Sequence, residues 1–149
     1  MQLGKEKIYN DNFGKKGLDN IVRWDVLKIN TKQEFYLEII STNSNYKQGV
    51  RLAIDSGNGY VEINGIQAKE MHLWEDTVPK RIHVKCFSEE GVLSVYNVFD
   101  MGKERGGIRS QMDSCGMIIG KKDNKIFYYC NDAGFNSDFD KLVFSIEMF

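Results

Sequence analysis

The sequence predicts an all-β domain: an antiparallel sandwich of jelly-roll type, with a closed barrel as the alternative. Three observations lead there. Apolar residues alternate with a period of two in one segment after another. Gly, Asn, Asp and Ser punctuate those segments at the short spacing of all-β domains. No stretch carries the apolar stripe of an amphipathic helix beyond about one turn.

The strands follow in order. In EFYLEII, Phe35, Leu37 and Ile39 alternate with Tyr36, Glu38 and Ile40. In GVRLAID, Val50, Leu52 and Ile54 alternate with Arg51, Ala53 and Asp55. The DSGNG run at 55–59 is a loop, because its glycines and Asn58 accept positive φ at little cost. YVEI and IQAKEMHLW flank Asn64-Gly65, a strong hairpin signal. RIHVKCF places Ile82, Val84 and Cys86 on one face and His83 and Lys85 on the other. VLSVYNVFD sets Leu93, Val95 and Phe99 against Ser94 and Tyr96. KIFYYCN and KLVFSIEMF complete the set, the last with Leu142, Phe144, Ile146 and Met148 on one side. EEG at 89–91 and KKDNK at 121–125 are turns, and the glycines of MGKERGG mark a mobile loop. About nine or ten strand candidates result, and a sheet with one apolar face needs a second layer or its own closure to bury it.

With 149 residues, the chain suits a single domain, 1–149, with one core. Hydrophobic residues at 42% and charged residues at 28% exclude disorder as the prevailing state. Twenty basic residues against 21 acidic ones leave a net charge of −1, which argues against a nucleic-acid binder. Nothing approaches a membrane-spanning apolar run. The polar opening MQLGKEKIYNDNFGKKGLDN has no signal-peptide core. A cytoplasmic location is therefore expected, or a secreted one if a leader was trimmed. Cys86, Cys115 and Cys130 lack the paired spacings of a disulfide framework or zinc site and read as free buried thiols, a Cys115–Cys130 bridge being the alternative.

Four groups of residues invite a chemical reading. Asn131, Asp132, Asn136, Asp138 and Asp140 fall within ten residues. Calcium takes six to eight oxygen ligands, and Asp138 and Asp140, two apart, share a face if the segment is extended. A site built from Asn131, Asp132, Asp138 and Asp140 is one reading. Asx-turns and caps before the last strand are the other. The stretch DFDKLVFSI resembles the D-F-N-D-L-V-F ending of bacterial secreted and surface β-sandwich domains of unknown function. The resemblance covers about a dozen residues and implies a β-sandwich and a structural calcium ion. Lys141 stands where the family pattern has its second Asp.

Aromatic residues form the second group. Tyr36, Tyr96, Phe127 and Tyr129 fall opposite the apolar faces of their strands, where rings stack on sugars or anchor a protein interface. Covered aromatics packed under a loop are the bland alternative. The third group is the Gly-rich loop with Arg105 and Arg109, which suits an anionic or amide-rich ligand. Cys115, which follows it, would need a nearby base to act as a nucleophile. The fourth group, His72, Glu75, Asp76 and His83, has no defensible zinc spacing. No phosphate-cradling loop occurs.

The sequence therefore leads to a non-catalytic binding module for carbohydrate or a partner protein. Its ligand-binding candidates are Tyr36, Tyr96, Tyr129, Arg105 and Arg109, and calcium is its only candidate cofactor. A small bacterial interaction protein of immunity or inhibitor type is the alternative. A hydrolase on the same scaffold is the third reading.

Overall fold

A computed structural model describes residues 3–135 and 138–149. It contains thirteen strands: β1 (Ile8–Tyr9), β2 (Val22–Lys28), β3 (Lys32–Thr42), β4 (Lys47–Ala53), β5 (Gly59–Ile63), β6 (Ile66–Ala68), β7 (Glu70–Trp74), β8 (Arg81–Ser88), β9 (Val92–Asp100), β10 (Ile108–Arg109), β11 (Gly116–Lys122), β12 (Lys125–Asn131) and β13 (Leu142–Met148). Short 3-10 helices at Asp11–Lys16 and Lys103–Arg105 are the helical elements among the described residues.

All strand pairings are antiparallel, in the order β6-β5-β8-β3-β13-β12-β11-β2-β9-β4-β7, with β1 beside β2 and β10 beside β9. The two ends of this order are neighbours in the chain: β6 and β7 are separated by Lys69 alone. The segment 66–74 thus pairs first with β5 and then with β4, and the Lys69 carbonyl accepts the Ile54 N–H at 2.9 Å. The sheet curls until it is nearly a closed barrel. The all-β prediction is met, and the barrel describes the architecture better than two separate sheets.

The corner of the barrel is β2. Its first residues pair with β1 and, through Val22–Met117, with β11; from Asp25 to Lys28 it pairs with β9. One strand therefore serves both walls, which a two-sheet reading of alternating segments does not anticipate. The Asn64-Gly65 turn has φ of 52° and 79°, the two left-handed residues that a tight hairpin requires.

The alternating residues point inward as the period of two requires. Phe35, Leu37, Val50, Leu52, Val84, Val95, Tyr128, Phe144 and Ile146 belong to one buried cluster that fills the barrel. A smaller cluster of Phe13, Ile21 and Phe139 closes one end. Gly116 lies against it, where any Cβ would run into Ile21.

Candidate functional site

Two buried polar groups organise the interior. Asp25 sits on the core face of β2 with no exposed surface. Tyr128 Oη donates to its Oδ2 at 2.6 Å, and Lys7 Nζ donates to its Oδ1. Burial, and then the neighbouring carboxylate, push the Tyr128 phenol well above its ordinary value. The second group lies between the end of β12 and the β3–β4 turn. There Asp132 Oδ2 accepts the Ser44 hydroxyl at 2.5 Å and Gln48 Nε2 at 3.0 Å. Asn131 donates to the carbonyls of Ser114 and Gly134, and its own carbonyl accepts from Asn97.

The acidic stretch at the end of the chain is thereby divided. Asp140 Oδ2 accepts Asn43 Nδ2 at 2.8 Å, and Lys141 lies 3.5 Å from Oδ1. Asp132 and Asp140 thus grip the same turn through Ser44 and Asn43. Phe139 has φ of 50° and is buried against Phe13, so residues 138–140 are not an extended strand. The extended segment in which Asp138 and Asp140 would share a face is therefore not formed. Asn136 lies outside the described residues. Among the described residues, no three His, Cys, Asp or Glu side chains gather as metal ligands.

The outer faces carry the aromatic candidates. Trp24, Tyr96, Arg51 and His72 form a row across β2, β9, β4 and β7. Tyr96 faces outward as expected but is only 7% exposed, because the Arg51 guanidinium at 4.9 Å and the Trp24 ring at 5.0 Å cover it. Arg51 is itself 7% exposed; it bonds both oxygens of Asp55 at 2.9 Å and Glu70 at 2.8 Å. Desolvation, the largest single influence, opposes ionisation of Asp55, but the hydrogen bonds from Arg51 and Ser94 and the charges of Arg51 and Lys69 together outweigh it and hold the carboxyl below its usual range. Trp74 lies flat over Gly49, with Lys47 above its ring.

Tyr36 is on the opposite wall. Phe149 stacks on it at 4.7 Å and Arg81 packs over it at 3.9 Å. Beside this stack is a groove of about 290 Å³ whose walls include Tyr60, Phe87 and Phe149 and whose charges are Lys32, Glu34, Glu62 and Lys85. On the same wall, Ile118, Tyr129 and Val143 form a row across β11, β12 and β13. Tyr129 is 39% exposed and Ile118 38%. Ile40, next to the register shift that pairs β3 with β13, is also 38% exposed.

No protein-family model and no curated protein matches this chain.

The five ligand-binding candidates do not converge. Tyr96 is on the β2–β9–β4–β7 wall, Tyr36 and Tyr129 are on the other, and Arg105 and Arg109 are exposed, Arg105 at the end of the second 3-10 helix and Arg109 in β10 at the edge of β9. His72 bonds Glu70 and His83 bonds Glu34, on different walls. Cys115 is buried, and that burial pushes its thiol up to about 11. All three cysteines are free. The sequence reading missed the Arg51 clamp and the Lys7–Asp25–Tyr128 group, since neither set is close enough in the chain to mark itself. Only Arg51 and Asp55, four apart, leave a faint trace.

Proposed function

We propose that this protein is a non-catalytic binding module that docks a partner protein on the wall formed by β11, β12, β13 and β3. The row Ile118–Tyr129–Val143, with exposed Ile40, supports this reading. Ile118, Tyr129 and Ile40 remain in solvent and Val143 is half-buried between them, whereas the interior is already filled. An apolar centre with Tyr in it and a charged surround has the composition of a protein interface. Glu38, Lys122, Lys125 and Glu147 supply that surround on the same strands. A small interaction protein of inhibitor type fits the same description.

The test places a photo-crosslinking residue at Ile118, with Asn58 as the control position. A single adduct of defined mass at 118, absent at 58 and lost in Tyr129→Ala, is the expected result. Tyr129→Ala should leave the melting temperature nearly unchanged, because the ring is exposed. Adducts shared by both positions, or of this chain with itself alone, overturn the reading.

A second reading rests on the groove beside Phe149. Lys32, Phe87 and Tyr60 are paired across β3, β8 and β5, and Glu34, Lys85 and Glu62 form the next row. Rings beside carboxylates and ammonium groups suit a saccharide, whose C–H faces stack while its hydroxyls bond. Glycan-array binding that Phe87→Ala or Tyr60→Ala abolishes would favour this groove over the Tyr129 row.

A further inference from the structure

We propose that Asp132 and the amide oxygen of Gln48 form a binding site for a hard, oxygen-seeking cation beneath the β3–β4 turn. Asp132 is 3% exposed. The donors to its Oδ2, Ser44 and Gln48, are both neutral. Asp25, the other buried carboxylate, has Lys7 as its counter-charge. Among the described residues Asp132 has no such partner: the nearby Lys141 ammonium is 3.5 Å from Asp140 and pairs there. A buried carboxylate without a counter-charge is strongly unfavourable.

The second observation is independent of the acidic residues. Gln48 is fully buried, and its Nε2 donates to both Asp132 and the Tyr46 carbonyl. Its Oε1 has no donor. The nitrogen of the same amide is 3.0 Å from Asp132 Oδ2, so the unpartnered oxygen belongs to the very group that is bonded to that carboxylate. A carboxylate lacking a cation and an amide oxygen lacking a donor are the two ligand types that calcium-like ions take up, with water completing the shell. A cleft of about 420 Å³, walled by Asn43, Asn45, Tyr46 and Ala133, reaches Asp132 from solvent and gives an ion access to the carboxylate; Gln48, fully buried, is not among its walls. The proposed site does not draw on Asp138 or Asp140, and Asp140 is turned toward Asn43.

Terbium is the probe, because it seeks the same oxygen ligands and is sensitised by a nearby tyrosine, here Tyr46. Sensitised emission that calcium displaces is expected, together with a rise in melting temperature on adding calcium and its reversal by chelator. Asp132→Asn should weaken binding by about tenfold or more, as the site has a single carboxylate. Asp138→Asn should leave it intact. Tyr46→Phe should remove most of the emission but keep the calcium-dependent melting shift, which holds the test open should Asp132→Asn fail to fold. No emission and no melting shift at up to about 10 mM calcium overturns the proposal, given the weakest affinities of natural sites. A response that survives Asp132→Asn, or that disappears in Asp138→Asn, overturns it equally.

Discussion

Tyr128 Oη donates to Asp25 Oδ2 at 2.6 Å inside the barrel, and Lys7 supplies the opposing charge from the first strand's approach. The bond ties β12 to the corner strand β2, two strands that β11 separates in the sheet. Tyr128→Phe deletes a hydrogen bond to a charged group and should cost about 1.5–3 kcal/mol. Lys7→Met should cost about 2–3 kcal/mol. That is less than for a fully buried pair, because Lys7 is partly solvated. Denaturant midpoints with unchanged slopes check both values. A Lys7→Met protein as stable as the parent would show that the carboxylate finds no benefit in the ammonium.

Alkali should unfold this protein early. Burial pushes the Cys86 thiol up to about 12 and Cys115 up to about 11, and it raises Cys130 and Tyr128 well above their ordinary values. Raised folded values mean that the native state holds protons that the unfolded chain releases. The associated stability is complete below the ordinary thiol value near 9 and falls as pH rises toward the folded values. Each group contributes a slope of about 1.4 kcal/mol per pH unit within its window. Melting temperatures between pH 8 and 11 should decline, and Cys86→Ala should decline less steeply by one group's share.

At the acid end, Arg51 decides the outcome. Asp55 is desolvated, which opposes its charge, yet Arg51, with help from Ser94 and Lys69, leaves its carboxyl below the usual value of 3.8. Hydrogen bonding from Arg51 is the leading cause of the lowered value for Glu70 as well. Their contribution is present above the ordinary carboxylate range and is lost as pH falls through the lowered values. Arg51→Met should cost about 2–4 kcal/mol near neutrality and flatten the acid limb of the stability profile. Arg51→Lys should not rescue it, since an ammonium cannot serve two oxygens of Asp55 and Glu70 while covering the Tyr96 and Trp24 rings.

Gly49 allows Trp74 to lie on the sheet. A Cβ there would come within 2.8 Å of the indole Cε3 and 3.0 Å of the Leu73 carbonyl. Gly49→Ala should destabilise by about 1–3 kcal/mol, as overpacking does. It should also shift tryptophan emission as the ring lifts from Gly49. An unshifted spectrum would mean that the strand, not the ring, moves aside.

The local order of this protein was legible in its sequence because a strand's period of two is a local property. Phe35 with Leu37, Val50 with Leu52, Ile82 with Val84, and Leu142 with Phe144 and Ile146 each declare an inward face without reference to another strand. The hairpin at Asn64-Gly65 is equally local, since two positive φ values in succession demand such residues. Two strands gave weaker signals for physical reasons. Asp25 puts a charge on the core face of β2, and the glycines of β11 leave no side chain to count.

Tertiary structure decided everything that depends on which strands meet. The two ends of the sheet come together through Lys69, so the molecule curls toward a barrel instead of splitting into two layers. Tyr96 and Tyr129 have the same outward-facing position in their strands, yet one is covered and the other exposed. The difference is what covers Tyr96: Arg51, held over it by Asp55 and Glu70, and the ring of Trp24. The Asn- and Asp-rich run could be seen in the sequence, but not that Asp132 and Asp140 would hold the β3–β4 turn through separate side chains. Nor could Gln48, more than 80 positions away, be paired with Asp132 by spacing alone. Alternation assigns a side chain to a face; only the packed strands determine what covers that face and which buried charges find partners.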